Sequence, residues 1–260
     1  MDFNELCGFY ERIAATRKRL EITDILAELF KKVQSENQFE DLPKIIYLTQ
    51  GRLVSEIDDW PKFGIAEKMI IHALVKFTGT PAPKIKEIVD SKGDIGECAE
   101  ELLQKREKSK VAYSLDAFTK KTSPSEKKEG VKRLEIRQLY GDLKKLSDIK
   151  GDGSQDQKIA LINGILRTCT PQAAKYVLNI IISNLRIGLA DMTIMDSLAV
   201  AFLGSKDQRI IIEEKYNIHP DLGEIANIVA KEGLNGLHRI QIQVGIPIRR
   251  SEERRVGKEC

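Results

Sequence analysis

The 260-residue chain is thin in the residue types on which metal, redox and membrane chemistry depend: four cysteines, three histidines, one tryptophan and 6% aromatics. Cys7, Cys98, Cys169 and Cys260 stand singly, with no C-x-x-C pair and no histidine at ligand spacing. That excludes a disulfide framework or a zinc ribbon and predicts a reduced, metal-free, cytosolic protein. No run approaches the roughly 18 apolar residues of a membrane span, and "MDFNELCGFY" has neither the basic opening nor the apolar core of a signal peptide. A cytoplasmic protein with no membrane contact is the expectation, and 42% hydrophobic residues suffice for a substantial core.

Charge is present but unevenly spread. Residues 1–104 carry 14 basic and 19 acidic side chains, residues 105–150 carry 14 and 7, and residues 151–248 carry 9 and 10. The surplus of positive charge therefore sits in the middle of the chain, where it serves either as a solvated linker or as a contact for a polyanion.

Apolar residues recur at helical spacing. In "ITDILAELFKK" Ile22, Ile25, Leu26, Leu29 and Phe30 share a face, and Ile159, Ile162 and Leu166 do so in "KIALINGIL". Breakers such as "GTPAP" and "TSPSEKKEG" separate these runs, so the class is all-α. An exception closes the chain: Ile240, Ile242, Val244, Ile246 and Ile248 alternate strictly, which predicts one β-strand.

The helices are written twice. "FGIAEKMIIHALVKFTG" (63–79) matches "IGLADMTIMDSLAVAFLG" (187–204), and "GDIGECAEELL" matches "PDLGEIANIVA". Gly64 thus pairs with Gly188 and Gly96 with Gly223, at offsets of 124 and 127 residues. Further back Tyr10 falls opposite Tyr140, and the loop "AATRKR" opposite "KGDGSQ". Two pseudo-symmetric halves, about 1–104 and 131–233, are predicted, joined by the basic stretch 105–130. Asp94 and Asp221 are N-cap candidates, with Glu97 and Glu224 at the capping-box position. A duplicated helical domain suits a nearly twofold ligand such as a duplex groove, and equally a protein-binding scaffold.

The loop "IKGDGSQDQK" has the makings of an anion site. Gly151 and Gly153 allow close backbone approach, Ser154 is placed to cap the next helix, and Lys158 lies one turn on. An ordinary capped turn is the competing reading. Arg186, just before Gly188 in "SNLRIGLADMTI", could bridge phosphates, enter a minor groove, or simply staple two helices. Lys150, Asp152 and Gly153 spell the K-x-D-G of covalent nucleotidyltransferases, but Gln155 stands where that motif usually has arginine and the surroundings are helical, so the reading is rejected.

Together "GDGSQDQKIALINGIL", "TPQAAKYVLNIIISNLRIGLAD", "DLGEIANIVAKEG" and "QVGIPIR" resemble the N-terminal part of ATP-dependent DNA ligases of the archaeal and eukaryotic replicative type, over about residues 1–249. The resemblance implies an all-α domain, 1–233, that grips nicked double-stranded DNA in the minor groove through phosphates. Residues 234–249 would begin an adenylation domain, and 250–260 ("RSEERRVGKEC") depart from the family. It carries DNA contacts onto Gly151, Gly153, Ser154, Lys158, Arg186 and Gly188, and by the internal repeat onto Thr16 and Arg17. It implies ATP and Mg²⁺ for the full-length enzyme, none of whose catalytic residues lie in this chain. The implied role is nick sealing in replication, repair and recombination by a monomer near the nucleoid. A sliding clamp is a further implied partner, but Gln104 lacks an aromatic pair at the right distance, and Tyr113 and Phe118 read as core residues.

Overall fold

A computed structural model describes residues 1–58, 63–118, 133–185 and 189–249, with the backbone alone for 109–118. Twelve α-helices appear among them: α1 (Phe3–Ala14), α2 (Arg19–Ser35), α3 (Leu42–Thr49), α4 (Glu67–Thr78), α5 (Ala82–Lys92), α6 (Ile95–Phe118), α7 (Ile136–Asp148), α8 (Ser154–Leu166), α9 (Pro171–Ile181), α10 (Asp191–Leu198), α11 (Arg209–Ile218) and α12 (Leu222–Arg239). The all-α expectation holds. The only extended pairing among the described residues is an isolated antiparallel bridge between Asp2 and Glu135.

The helix ends follow from local chemistry. Asp2 accepts from the Asn4 amide at 3.0 Å and opens α1, whose Phe3, Leu6, Cys7, Tyr10 and Ile13 make one buried stripe. Thr170 caps α9 and Pro171 takes its first position, where a missing N–H costs nothing. The repeated segments end alike. Gly79 closes α4 at φ 75°, and Gly204 closes the π-helical turn Ala199–Leu203 that continues α10, at φ 80°. The left-handed backbone explains why glycine stands at both stops.

Two compact units form, and neither coincides with a half of the chain. Unit 1 comprises residues 1–15, 48–53 and 60–188, with α1 and α4 to α9; unit 2 comprises 16–47, 54–59 and 189–260, with α2, most of α3, and α10 to α12. In unit 1 α6 lies along α9 and α4 against α8; in unit 2 α10 lies against α2. Since α4 matches α10 and α8 matches α2, each unit packs a helix of one repeat against a non-equivalent helix of the other. The core of unit 1 gathers Leu6, Tyr10, Leu74, Ala99, Leu143, Ile162 and Val177, and that of unit 2 Leu26, Phe30, Ile45, Ile194, Leu198, Ile225 and Val229.

One expectation is corrected. The alternating stretch 240–249 is no strand: Val244 and Gly245 turn, Gly245 at φ 93°, and Ile242, Val244 and Ile248 are exposed. Alternation makes a strand only where a neighbouring strand takes up the backbone N–H and C=O groups, and none stands beside it among the described residues. The segment is instead held by Arg249, whose amide donates to the Asn217 carbonyl at 2.8 Å and whose guanidinium pairs with Glu56 and Asp191 over the Tyr216 ring. Helix α6 continues through Phe118, so the first part of the basic stretch 105–130 is helical backbone; residues 119–130 lie outside the described residues.

Candidate nucleic-acid interface

The loop between α7 and α8, in unit 1, is built by two left-handed glycines, Gly151 at φ 90° and Gly153 at φ 73°. Both are exposed, and beyond their immediate chain neighbours a Cβ at either would meet no atom within 4 Å. The sequence assigned the cap of α8 to Ser154, but the structure gives it to Gly153 and makes Ser154 the first helical residue. A capping side chain needs extended backbone at its own residue, and the left-handed turn at Gly153 places a residue without a side chain there. The amides of the first turn of α8 consequently have no side-chain cap and open into an exposed loop. Backbone donors at the positive end of a helix dipole, approachable because glycine leaves space, are what an anionic oxygen requires. Asp156 in that turn works the other way, but pairs with Lys76 at 3.1 Å.

Lys158 is placed otherwise than a direct phosphate ligand would be. It is 9% exposed, and its Nζ donates to the Phe63 carbonyl at 2.7 Å, beside Gly64. It ties α8 to the segment leading into α4. A lysine one turn into a helix that packs by its apolar face can point inward, and the sequence did not say which face Lys158 occupies.

Thr16 and Arg17 belong to unit 2, in the exposed segment before α2. The Thr16 hydroxyl accepts from the Lys18 amide at 3.2 Å and donates to Glu21 at 2.5 Å. Lys18 Nζ reaches the same carboxylate at 2.7 Å. The hydrogen bonds from Lys18 and then Thr16 hold the Glu21 carboxyl below its usual range, and Glu21 raises the Lys18 amine. This local net fixes the turn and leaves Arg17 on the surface. Arg186 and Gly188 lie outside the described residues, as do the side chains of Tyr113 and Phe118.

The repeated helix openings are caps, as their residue types predict. Asp94 and Asp221 each accept from the amide three residues on at 2.9 Å, in units 1 and 2 respectively. Glu224 does not complete a capping box; its carboxylate meets His219 Nε2 at 2.8 Å. His219, Asp221 and Glu224 lie close enough to surround a cation. Asp221 is already engaged by the Tyr47 hydroxyl, at 2.7 and 3.0 Å, and by the Glu224 amide. These mutual bonds account for the cluster as the locked start of a helix.

The cysteines Cys7, Cys98 and Cys169 are buried free thiols; Cys260 lies outside the described residues. Burial pushes Cys98 up to about 11 and Cys169 up to about 12, and Cys7 well above the ordinary thiol value. They stay neutral near pH 7, so none is a nucleophile or a thiolate ligand there.

Sequence reasoning missed one charged group. Asp196, in the stretch "TIMDSL" of α10, is completely buried in unit 2 and surrounded by Arg19, Lys206 and Arg209. An acid with Ile194, Met195, Leu198 and Ala199 close to it in sequence was the available signal.

Three relatives define the likeness. The chain is 38% identical over 248 residues to DNA ligase 2 of Thermofilum pendens, covering 95% of this chain and 39% of that protein. It is 38% identical over 252 residues to a DNA ligase of Staphylothermus marinus, covering 96% and 40%. Against a DNA ligase of Nitrosopumilus maritimus it is 35% identical over 259 residues, covering 100% and 40%. The chain therefore spans about two fifths of the length of the curated relatives it matches. A family model described as the DNA ligase N terminus matches residues 2–199.

Proposed function

The chain belongs to the DNA ligase N-terminus family, and from that premise we propose that it binds nicked double-stranded DNA through backbone phosphates, on behalf of an ATP-dependent enzyme that seals the nick. The observation that carries this reading is the bare cap of α8: Gly153, in a left-handed turn, leaves first-turn amides without a side-chain acceptor in an exposed glycine loop. A phosphodiester oxygen supplies the missing acceptor, and because every nucleotide has one, such contacts are independent of sequence.

Each chain residue then has a defined task. Gly151 and Gly153 let the backbone approach the strand, and Ser154, first in the helix, offers its hydroxyl, its amide already donating to the Gly151 carbonyl at 3.2 Å. Arg17, on a turn fixed by Thr16 and Glu21, adds a cation. Arg186 and Gly188 are proposed contacts by family resemblance. Lys158 acts from beneath, holding α8 to the segment before α4, so its loss loosens the loop rather than removing a phosphate bond.

Strand joining in the full-length enzyme would draw on ATP and Mg²⁺, and the residues described here do not fit them. Lys150 of the K-x-D-G tetrad follows the last turn of α7 in an exposed loop, and the cation-sized group of acids among the described residues is the α12 cap in unit 2. In this proposal the chain alone binds the nick without joining it. Monomeric binding at the nucleoid, service in replication, repair and recombination, and a sliding-clamp contact belong to the same proposal.

Anisotropy titration of a labelled nicked duplex tests it. Gly153→Val places a β-branched residue at φ 73° and should weaken binding about tenfold, equivalent to ~1.4 kcal/mol. Unchanged affinity in a folded Gly153→Val chain contradicts the role given to the loop. Failure of the wild-type chain to bind duplex favours the protein-scaffold reading.

A further inference from the structure

The buried Asp196 carboxylate of unit 2 holds more positive charge than its own neutralisation needs. One oxygen meets Arg19 Nη2 at 2.8 Å and Lys206 Nζ at 3.3 Å; the other lies 3.2 Å from Arg209 Nε. The acid is 0% exposed, while the side chains of Arg19, Lys206 and Arg209 are 55%, 42% and 24% exposed. Arg209 also pairs with Glu213 at 2.7 Å, so three cations face two anions and a positive balance remains.

We propose that Asp196 is a positioning residue that gathers Arg19, Lys206 and Arg209 into a cradle for backbone phosphate of duplex DNA, resting on the reading above and adding a contact site in unit 2. A buried acid is costly unless paired, and one partner would suffice to pair it. Three partners, from the first turn of α2, the turn after α10 and the start of α11, fix otherwise mobile side chains before a ligand arrives. Arg19 has further N–H donors beyond the one bonded to Asp196, and Lys206 has two more, on exposed side chains. The setting also suits a nucleic-acid strand rather than a free anion. Leu20 and Ile210, which directly follow two of the cations, are large aliphatics 66% and 57% exposed. Cations beside exposed aliphatic side chains match the charged rail and apolar sugar faces of a groove edge.

The sign of one substitution separates positioning from bulk electrostatics. Asp196→Asn removes a negative charge, which by itself would tighten binding to a polyanion; the cradle predicts weakening by about threefold or more at ~0.1 M salt. Arg19→Gln and Lys206→Gln should each flatten the plot of log affinity against log salt by about 0.9, and Arg19→Lys should restore the slope. Because Asp196→Asn can unfold α10, circular dichroism accompanies it, and the exposed Arg19 and Lys206 variants decide alone if it does. Wild-type slopes in both of those variants, with Gly153→Val still weakened, overturn the cradle and leave the α8 loop standing. A wild-type chain that binds no duplex overturns both.

Discussion

The start of α6 in unit 1 and the start of α12 in unit 2 are two versions of one joint. Each opens with an aspartate that caps at 2.9 Å and has glycine at its second helical position. A Cβ on Gly96 would lie 2.5 Å from the Lys175 carbonyl, and one on Gly223 would lie 2.6 Å from the Tyr47 ring. The second duty of the aspartate is also shared. Asp94 accepts from Asn179 at 3.2 Å on α9, and Asp221 from the Tyr47 hydroxyl on α3. The crossing partner has changed from amide to phenol while the close approach has been kept, so the repeat preserves a joint between helices and not a set of side chains. The starts of α8 and α2, matched in the repeat, differ more. Neither has a side-chain cap, but one opens from a left-handed glycine and the other from the cations Arg17 and Lys18 with Arg19 as its first residue. Divergence is concentrated where the proposed contacts lie, and constancy where the helices cross.

The sharpest way to break the parallel is Gly96→Ala. The atom in the way belongs to backbone, so urea unfolding should show a loss of about 2–3 kcal/mol, overpacking outweighing alanine's helical advantage. Gly223→Ala should cost less, about 1–2 kcal/mol, because a tyrosine ring can swing away where a carbonyl cannot. The reverse order would mean the joints are not equivalent. Asp221→Ala should destabilise by ~1–2 kcal/mol, more than Asp94→Ala, since Asp221 is the more buried and its hydrogen bonds from the Glu224 amide and the Tyr47 hydroxyl are both lost.

Alkali should act first on unit 1, which holds all three described thiols. Burial raises Cys98 and Cys169, so the unfolded chain releases protons that the folded chain keeps. Their contribution is complete below the ordinary thiol value and declines as pH climbs toward about 11 and 12, by up to about 1.4 kcal/mol per unit per thiol. Urea midpoints at pH 8 and pH 10 measure this, and Cys98→Ser and Cys169→Ser should reduce the difference. The smallest effect concerns chemistry: incubation with labelled ATP should leave the chain unlabelled, and label at Lys150 would contradict the assignment of that loop to binding.

What could be read in the sequence was what depends on local pattern. The apolar stripe Ile159, Ile162 and Leu166 of α8 and the caps Asp94 and Asp221 follow from spacing and residue type, and the structure has them. Three features needed tertiary partners and were not legible. Whether Lys158 faces solvent or core depends on where the Phe63 carbonyl lies, about a hundred residues earlier in the chain. The alternation at 240–248 says strand only if another strand is adjacent. The union of helices from opposite repeats within one unit leaves no local mark, because α4 and α10 present similar faces to α8 and α2. For the candidate site, Gly151 and Gly153 were found by composition, whereas the charge around Asp196 is assembled from α2, α10 and α11 and from the turn that carries Lys206.

The salt dependence of duplex binding by the whole chain bears most directly on the central claim. If uncapped amides and a few cations hold the phosphates of a double helix, the affinity for a nicked duplex falls linearly on a log–log plot, each neutralised phosphate contributing about 0.9 to the slope. An affinity indifferent to salt between about 0.05 and 0.2 M, or no binding at the low end, would contradict it.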